Sequence, residues 1–384
     1  MTVRILHVSQ PVDAGVAVVL ADLVEHQSAL GWEVHVACPP VGWLVDRLAN
    51  SDVQVHAWEA SRTPGASSLS EARALRRLAR RIAPDVVHLH SAKAGLAGRL
   101  ALRGSVPTVF QPHAWSFHAA GGSLHRATVL WERLAMRWTD LLIAVSDDEL
   151  ADGARRGIRA RHSRVVSNGV DVRRFSPGDR EQARDGLGLS HGPLALCIGR
   201  LARQKGQDLV IEAWPRVRAS VPGARLAIVG DGPERAALKI SLPPGVSLHP
   251  GVAEPTPWFA AADLVVLPSR WEGMALVPLE AMASARSVVG FHVSGVAESI
   301  GDAGATVPVE DVEALADEIA LRLTDPALAA QEGLRGRQRA VEKFDRGRAL
   351  ADTTQATEEL LGLSTSAIST GELRREDLDR RLGG

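Results

Sequence analysis

The sequence has only two cysteines, Cys38 and Cys197, among its 384 residues. Each one ends a short apolar run that has the character of a strand, so we expect two reduced core residues in an intracellular protein. No cysteine pair and no Cys/His cluster has the spacing of metal ligands. The sequence therefore gives no indication of a structural zinc site.

Long hydrophobic runs are also absent. No stretch reaches the roughly 18 apolar residues that a transmembrane helix needs. The chain opens directly on the strand-like segment Val3-Arg4-Ile5-Leu6-His7-Val8, without a charged leader or a cleavage site. We therefore expect a cytoplasmic protein that is neither exported nor membrane-spanning.

The sequence has little excess charge of either sign, with a formal net charge of −1. This balance gives no global signal for nucleic-acid binding. Residues 1–175 carry 21 Lys+Arg against 16 Asp+Glu, while the remainder carries 23 against 29, so the halves are net +5 and −6. A basic amino-terminal half is consistent with an anionic acceptor or membrane surface, and equally with solvated arginine-rich helices.

Short apolar runs alternate with longer helical patterns, which is typical of parallel sheets wound with helices. The first series predicts strands near residues 3–8, 33–38, 53–58, 85–90, 107–111, 140–145 and 164–167. A polar segment rich in proline and glycine follows at 176–190. The pattern then restarts, with strands predicted near 194–199, 225–230, 246–249, 264–267 and 287–290.

This alternation predicts an α/β protein with two doubly wound, Rossmann-like domains in tandem. We place the first domain at residues 1–175 and the second at 176–344, followed by a helix near 345–362 and a polar tail at 363–384. Ligands of such sheets bind beyond the carboxyl ends of the strands. The active site is therefore expected between the domains, among the segments that follow the strands.

The segment that says most about chemistry follows the predicted strand 264–267 and contains Glu272 and Glu280. Pro278 is well placed as a first helical residue, which puts Glu280 in the first turn of a helix. Unpaired backbone NH groups and the positive end of the helix dipole favour a phosphate or a sugar there. The alternative is an exposed loop acid plus an acid that stabilises its own helix terminus.

Two other segments that follow strands of the second half carry suitable groups. Arg200 and Lys205 could both reach one diphosphate and stabilise the charge that develops as it leaves a sugar; a pair of surface cations is the alternative. The segment Gly230-Asp231-Gly232-Pro233-Glu234-Arg235 has arginine where a dinucleotide fingerprint needs its third glycine. NAD or FAD binding is therefore disfavoured.

In the first half, Gly15 follows the first strand and would let a phosphate or acceptor approach the backbone, unless it only forms a turn. His113 follows the fifth strand. General acid or base work and a hydrogen bond to a sugar hydroxyl are both open for this histidine. An ordinary half-buried loop histidine is the alternative.

Taken together, these segments resemble the retaining glycosyltransferases of family 4, which have the GT-B fold. The resemblance rests on Glu272 and Glu280, which are separated by seven intervening residues, and on the order in which the other motifs precede them. Those motifs are Asn168-Gly169-Val170-Asp171, Gly199-Arg200-Leu201, Lys205-Gly206 and Gly230-Asp231-Gly232-Pro233. The match covers nearly the whole chain, and the context of His113 is similar to family members that build surface polysaccharides on a lipid carrier.

The resemblance implies transfer of a sugar from a UDP- or GDP-linked donor, held mainly by the second domain, to an acceptor on the first. Arg200, Lys205 and Gly15 would contact the diphosphate, and His113 would lie near the reacting centre. Glu272 would contact the donor sugar and Glu280 the nucleotide ribose. The backbone NH groups of Gly273, Met274, Ala275 and Leu276 would also contact the sugar.

Family members work without a bound metal or other cofactor, and the only Asp-x-Asp here is Asp377-Leu378-Asp379 in the polar tail. The family often has two adjacent glycines where this chain has Ala14-Gly15, which weakens the case for Gly15. The resemblance also implies that the helix near 345–362 crosses back onto the first domain. A non-catalytic nucleotide-sugar-binding protein and a GT-B epimerase remain alternatives.

The acceptor is predicted to be lipid-linked or a small molecule. A helix over 124–140 combines tryptophans with arginines, which suits contact with an anionic membrane at its inner face. Further arginines of the first domain add to this basic surface: Arg73, Arg76, Arg77, Arg80, Arg81, Arg155, Arg156, Arg159 and Arg161. The alternative is a helix that buries its tryptophans in the domain core.

Overall fold

The computed structural model describes residues 2–61, 65, 67–240 and 242–363, together with the backbone of 372–374. The described chain forms two compact units. The first comprises Met1–Ser167 and the carboxyl-terminal segment from Ala349, and the second is Asn168–Arg348. The Asp377-Leu378-Asp379 motif and nearly all of the predicted tail lie outside the described residues.

The first unit is a parallel sheet with helices on both faces. Its strands are β1 (Arg4–Ser9), β2 (Glu33–Cys38), β3 (Gln54–Ala57), β4 (Val86–His90), β5 (Thr108–Gln111), β6 (Leu141–Ala144) and β7 (His162–Val165). They lie in the order β7-β6-β5-β4-β1-β2-β3. A three-residue strand at Glu372–Arg374 pairs antiparallel with β7 at the sheet edge.

The helices of this unit lie in the connections between the strands. They are α1 (Ala14–Ala29), α2 (Trp43–Leu48), α3 (Ser68–Ile82), α4 (Ser91–Leu102), α5 (Gly122–Ala135) and α6 (Asp147–Arg155). Two one-turn 3-10 helices flank α5, at Ser116–Ala119 and Met136–Trp138. Consecutive strand residues such as Ile5 and Leu6 point to opposite faces of the sheet and belong to different hydrophobic clusters. The sheet is therefore buried on both faces.

The second unit repeats this plan. Its strands are β8 (Leu194–Ile198), β9 (Arg225–Val229), β10 (Val246–His249), β11 (Leu264–Leu267), β12 (Ser287–Phe291) and β13 (Gly304–Val307), in the order β10-β9-β8-β11-β12-β13. Its helices are α7 (Arg180–Gly186), α8 (Gln207–Ser220), α9 (Arg235–Ile240), α10 (Thr256–Ala261), α11 (Leu276–Ala283), α12 (Val296–Ile300), α13 (Val312–Thr324) and α14 (Pro326–Lys343).

The prediction of two doubly wound parallel sheets is confirmed, with one strand of the second sheet missed and the edge strand Glu372–Arg374 lying in the predicted polar tail. The missed strand is β13, whose sequence Gly-Ala-Thr-Val is only half-buried at the sheet edge and so lacks a strong apolar run. The compact units divide at Ser167 rather than at residue 175. The physical reason is that Val170 pairs with Asp345: its NH donates to the carbonyl oxygen of Phe344 and its carbonyl oxygen accepts from the NH of Arg346. This pairing ties 168–175 to the second unit.

The last described helix is α15 (Arg346–Leu360), close to the predicted bounds of 345–362. From Ala349 onward it belongs to the first unit. Ala356 enters a hydrophobic cluster of that unit together with Ile5 and Val109. Glu359 Oε2 accepts a hydrogen bond of 2.5 Å from Arg164 on β7. No helix among the described residues is both long enough and apolar enough to cross a bilayer.

Candidate active site

The main candidate site lies at the carboxyl ends of β8 and β11, which are neighbouring strands in the second sheet. The chain runs outward from β8 through β9 to β10 on one side, and from β11 through β12 to β13 on the other. Loops that leave two such strands diverge and leave space between them, which is where doubly wound sheets bind ligands.

Lys205 is held in this space by a tight turn after β8. The 3-10 turn Arg203–Lys205 is followed by Gly206 at φ 67°, and a Cβ there would lie 1.9 Å from the carbonyl oxygen of Pro268. This close approach of backbones requires glycine. It brings Lys205 Nζ to 2.6 Å from Oε1 of Glu272, which is buried.

Arg200 joins the same network through Gln204. Arg200 Nη2 donates to Gln204 Oε1 at 3.4 Å, and Gln204 Nε2 donates to the carbonyl oxygen of Trp271 at 3.0 Å. The structure therefore brings Arg200, Lys205 and Glu272 together. Sequence reasoning missed Gln204, because nothing in its local pattern shows that its amide bridges two loops.

The loop that carries Glu272 is fixed from two sides. Asn168 Nδ2 donates to the carbonyl oxygen of Met274 at 2.7 Å. Gly295 has φ 69°, and a Cβ there would lie 1.9 Å from the carbonyl oxygen of Gly273. Gly273, Met274 and Ala275 are buried, and Leu276 begins α11. The segment therefore presents the amino-terminal end of α11 beside Glu272 in a rigid frame.

Glu280 lies in the second turn of α11, so its predicted place in the first turn is wrong. The helix begins at Leu276, two residues before Pro278. Proline is tolerated at that third position because the first NH groups of a helix have no intrahelical partner. Desolvation raises the pKa of half-buried Glu280 to about 7, opposed by the nearby charges of Arg174 and Lys205.

The glycine-rich segment after β9 is closed by Arg235. The Arg235 guanidinium donates to the carbonyl oxygens of Gly230 and His249, at 2.7 and 2.9 Å. Arg235 therefore joins the ends of β9 and β10 at the position where a dinucleotide site would need a glycine.

In the first unit, His113 follows β5 in a strained backbone conformation. Its φ is 57°, in the left-handed region, where a residue with a side chain costs on the order of 1 kcal/mol or more. His113 Nε2 lies 3.2 Å from Nδ1 of His90, at the end of β4. Desolvation lowers the pKa of His113 to about 3, although part of its surface is exposed. The ring is therefore neutral near neutral pH, which favours hydrogen bonding over acid–base exchange.

His90 belongs to a buried cluster that sequence reasoning missed. It also contains His7 on β1 and His88 on β4, and all three side chains are fully buried. The signal in the sequence was His88-x-His90, which places both rings on one face of β4. The pairing of His7 with His88 in the parallel sheet adds the third ring.

Ligand atoms of these three histidines lie within 4.8 Å of one another, a spacing that a metal ion could use. Two features oppose that use. The rings of His88 and His90 are stacked with centroids 4.0 Å apart, so their in-plane lone pairs do not converge on one point. Nδ1 of His7 and Nε2 of His90 are hydrogen-bonded to each other at 3.0 Å.

Gly15 is exposed in the first turn of α1. The left-handed conformation falls on the residue before it, since Ala14 has φ 62°. Asp13 Oδ1 accepts a hydrogen bond from the backbone NH of Trp43 and fixes the approach to the helix. The turn thus places alanine, rather than Gly15, at the left-handed position that glycine would occupy without strain.

Two Rossmann-like domains, with cations and a carboxylate after neighbouring strands of the second, form the arrangement that the resemblance to GT-B glycosyltransferases led us to expect. The model described as "Glycosyl transferases group 1" matches residues 192–325, and the model "Glycosyltransferase Family 4" matches residues 14–174. The chain belongs to glycosyltransferase family 4.

Two relatives are similar over 60% and 63% of this chain. A GDP-mannose-dependent α-(1-6)-phosphatidylinositol monomannoside mannosyltransferase of Mycolicibacterium smegmatis is 32% identical over 60% of this chain and 68% of that protein. A D-inositol 3-phosphate glycosyltransferase of Catenulispora acidiphila is 32% identical over 63% of this chain and 65% of that protein. The matches therefore span about two thirds of these relatives.

Solved structures share the fold. Sucrose-phosphate synthase from Thermosynechococcus elongatus has a TM-score of 0.81 at 21% identity, covering 94% of this chain and 100% of that one. The HepE protein of Anabaena, in complex with UDP and glucose, has a TM-score of 0.79 at 22% identity, covering 92% and 99%.

Proposed function

We propose that this protein is a retaining, metal-independent glycosyltransferase. It moves a sugar from a UDP- or GDP-linked donor to a hydroxyl of a lipid-linked or small-molecule acceptor, in the synthesis of a polysaccharide, glycolipid or other glycoconjugate. The names of the relatives support this choice, since one uses GDP-mannose on a phosphatidylinositol mannoside and another acts on an inositol phosphate.

The observation that carries the proposal is the contact of 2.6 Å between Lys205 and Glu272, with Arg200 joined to it through Gln204. In this proposal Lys205 contacts both Glu272, which holds the donor sugar, and the diphosphate. It therefore links the two groups between which the bond breaks. Fixed cations also stabilise a leaving diphosphate more strongly as its charge develops. In this role Arg200 and Lys205 supply the positive charge that a metal supplies in other transferases.

Glu272 then orients the donor sugar, together with the backbone of Gly273 to Leu276. In our proposal the acceptor hydroxyl attacks from the face that the diphosphate leaves, and a donor phosphate oxygen takes its proton. The bond from the anomeric carbon to the diphosphate breaks as the bond to the acceptor oxygen forms. His113 contacts a hydroxyl near the reacting centre, Glu280 binds the ribose, and Gly15 allows the diphosphate to approach.

The test compares two variants on a panel of UDP- and GDP-sugars, with transfer, slow donor hydrolysis and thermal stabilisation as the readouts. Glu272→Gln is expected to keep donor binding and lose most turnover, whereas Lys205→Ala weakens donor binding as well. Arg203→Ala is the matched control, because Arg203 is exposed on the same turn.

Full turnover by both variants would remove the assignment. Stabilisation by a nucleotide sugar without transfer or hydrolysis would identify a non-catalytic binding protein instead. Conversion of one nucleotide sugar into another without an acceptor would identify an epimerase.

We also propose that the first unit, acting in the cytoplasm, docks on anionic membrane through α5. Leu124, Leu130 and Leu134 are 63%, 65% and 44% exposed on this helix. Arg126, Arg133 and Arg137 beside them are exposed as well. Trp131 and Trp138 are only half-buried and pack against each other with ring centroids 6.2 Å apart, so the leucines form the free apolar face. An exposed apolar stripe flanked by arginines suits an anionic bilayer interface.

Flotation with anionic and zwitterionic liposomes tests this docking. Replacing Leu124, Leu130 and Leu134 together by serine is expected to abolish binding to anionic vesicles. Leu334→Ser is the control, because Leu334 is 68% exposed on the second unit. Absence of binding by the unaltered protein at low salt would overturn the proposal.

A further inference from the structure

We infer that Gln27, His7 and His90 form a positioning chain that holds His113 in one tautomer, with its proton on Nε2 and its Nδ1 as a hydrogen-bond acceptor. The inference rests on the proposed function for the role of His113 in sugar transfer. Its structural part concerns the first unit alone and can be tested without a donor or an acceptor.

The positioning chain is a continuous series of hydrogen bonds from Gln27 to His113. Gln27 Oε1 on α1 lies 2.8 Å from His7 Nε2, and His7 Nδ1 lies 3.0 Å from His90 Nε2. His90 Nδ1 then lies 3.2 Å from His113 Nε2. Gln27, His7 and His90 are fully buried, so water does not compete for these contacts.

The rings in this series of hydrogen bonds are neutral. Among neutral rings, the tautomer of one ring fixes the tautomer of the next. Desolvation lowers the pKa of His7 to about 4 and that of His113 to about 3. The pKa of His90 is lowered well below its usual value by desolvation and by the neighbouring histidines. A neutral imidazole carries one N–H and one bare nitrogen, so fixing the role of one nitrogen fixes the other.

The direction of the chain follows from its first member. The amide oxygen of Gln27 can only accept, so His7 donates from Nε2 and accepts at Nδ1. His90 must then donate from Nε2 to His7 and accept at Nδ1. His113 therefore donates from Nε2 to His90, and its Nδ1 lone pair is left as an acceptor.

This arrangement defines what His113 can recognise. An Nδ1 acceptor takes a hydrogen bond from a hydroxyl of the donor sugar or the acceptor, and it rejects a group that offers only acceptor atoms. Gln27 lies on α1 and His7 on β1, so side chains remote from His113 in sequence set this preference. The second ring on this face of β4, that of His88, takes no part in the chain of bonds.

The tautomer can be observed by long-range ¹H–¹⁵N correlation spectra of the protein labelled with ¹⁵N-histidine. A His113→Gln variant identifies the signals of His113. In the unaltered protein at pH 7, Nε2 of His113 is expected to have the shift of a protonated nitrogen and Nδ1 that of a bare one. Gln27→Met, similar in length but without the amide, is expected to give a mixture of both tautomers.

A second variant, His90→Phe, keeps a stacked ring and removes both nitrogens, so it interrupts the chain by a different change. Both variants are expected to lower kcat/KM for transfer by roughly 5- to 20-fold, the effect of one misdirected hydrogen bond. His88→Gln is the matched control and should leave the tautomer of His113 unchanged. Thermal melting of each variant shows that it is folded.

Protonation of His113 on Nδ1 in the unaltered protein would overturn the inference. The same tautomer in Gln27→Met, His90→Phe and the unaltered protein would also overturn it. Stoichiometric Zn²⁺ binding that His88→Gln abolishes would assign the cluster to a metal instead. If His113 has the expected tautomer but the protein transfers no sugar from any donor, the inference about the hydrogen bonds stands and only the proposed function is refuted.

Discussion

The two units share a strand order but carry opposite chemistry at the carboxyl ends of their strands. In the second unit, Lys205 and Glu272 are charged groups held 2.6 Å apart beside Arg200. In the first unit, the corresponding region contains neutral histidines whose pKa values are lowered by burial. The fold therefore determines where a site forms, and the residues after each strand determine whether it suits a charged or a hydroxylated group.

The largest expected difference between the two regions is in catalysis. Lys205→Ala should lower kcat/KM by roughly 10²- to 10³-fold, because a preorganised cation beside the leaving group is lost. His113→Gln should cost only roughly tenfold, because it removes a neutral hydrogen bond. Steady-state kinetics with the preferred donor measures both effects. Equal losses of kcat/KM in the two variants would contradict the distinction between a charged region in the second unit and a neutral region in the first.

The next largest expected effect is on stability and concerns the rigid loop that carries Glu272 in the second unit. In Gly295→Ala, the new Cβ would meet the carbonyl oxygen of Gly273 at 1.9 Å while the residue stays at φ 69°. We expect a loss of about 2–4 kcal/mol in the free energy of unfolding. Gly186→Ala is the control, since Gly186 has nothing within 4 Å of its added Cβ. Urea unfolding that shows equal stability for both variants would contradict the rigid frame.

The third comparison concerns the dependence of the unfolding free energy on pH. The pKa of Glu280 rises from 4.5 to about 7 on folding, so the native state binds more protons between these values and the unfolding free energy falls as the pH rises through them. Glu280→Gln should therefore increase stability at pH 8 by about 1–3 kcal/mol and leave it unchanged at pH 4. Donor affinity should fall in the same variant, because a ribose contact is lost.

Denaturant unfolding at the two pH values measures this effect. Glu212→Gln, at an exposed position of α8, serves as the control and should change stability equally at both. His7 and His113 have the opposite sign. Their pKa values fall from 6.5 to about 4 and about 3, so their contribution to stability is lost as the pH drops below 6.5. A Glu280→Gln gain that persists at pH 4 would rule out desolvation of the carboxylate as its cause.

The smallest effect concerns the turn after β1. Ala14→Gly should raise the free energy of unfolding by roughly 0.5–1 kcal/mol, since glycine adopts the observed φ of 62° without strain. Ala17→Gly, in the buried interior of α1, should lower it by roughly 1 kcal/mol. Thermal unfolding of the two variants measures both changes. A loss of stability in Ala14→Gly would show that Ala14 is not strained.

Much of this organisation could be predicted from sequence because its signals are local. Buried parallel strands are continuous apolar runs, and the carboxyl ends of neighbouring strands lie at one edge of a sheet. This was enough to predict the two sheets and to select Arg200 and Lys205 after β8 together with Glu272 after β11. The half-buried β13 and the early start of α11 at Leu276 were missed, because neither has a strong local signal.

The contacts within each site could not be predicted in this way. Gln204 has no local signal in sequence, and Asn168 appears there only as part of a motif. Only folding aims their amides at Trp271 and Met274. His7 and His90 lie 83 residues apart, and the register of β1 against β4 brings them together.

The sequence by itself determined the type of fold, the family and the set of charged and histidine side chains placed after the strands, because these depend on local hydrophobic patterns and motif order. The tertiary structure alone decided the raised pKa of Glu280, the lowered pKa values of the histidines and the contacts that link their rings. The physical reason is that desolvation and hydrogen bonding act at distances of a few ångströms, between residues that the sequence places far apart.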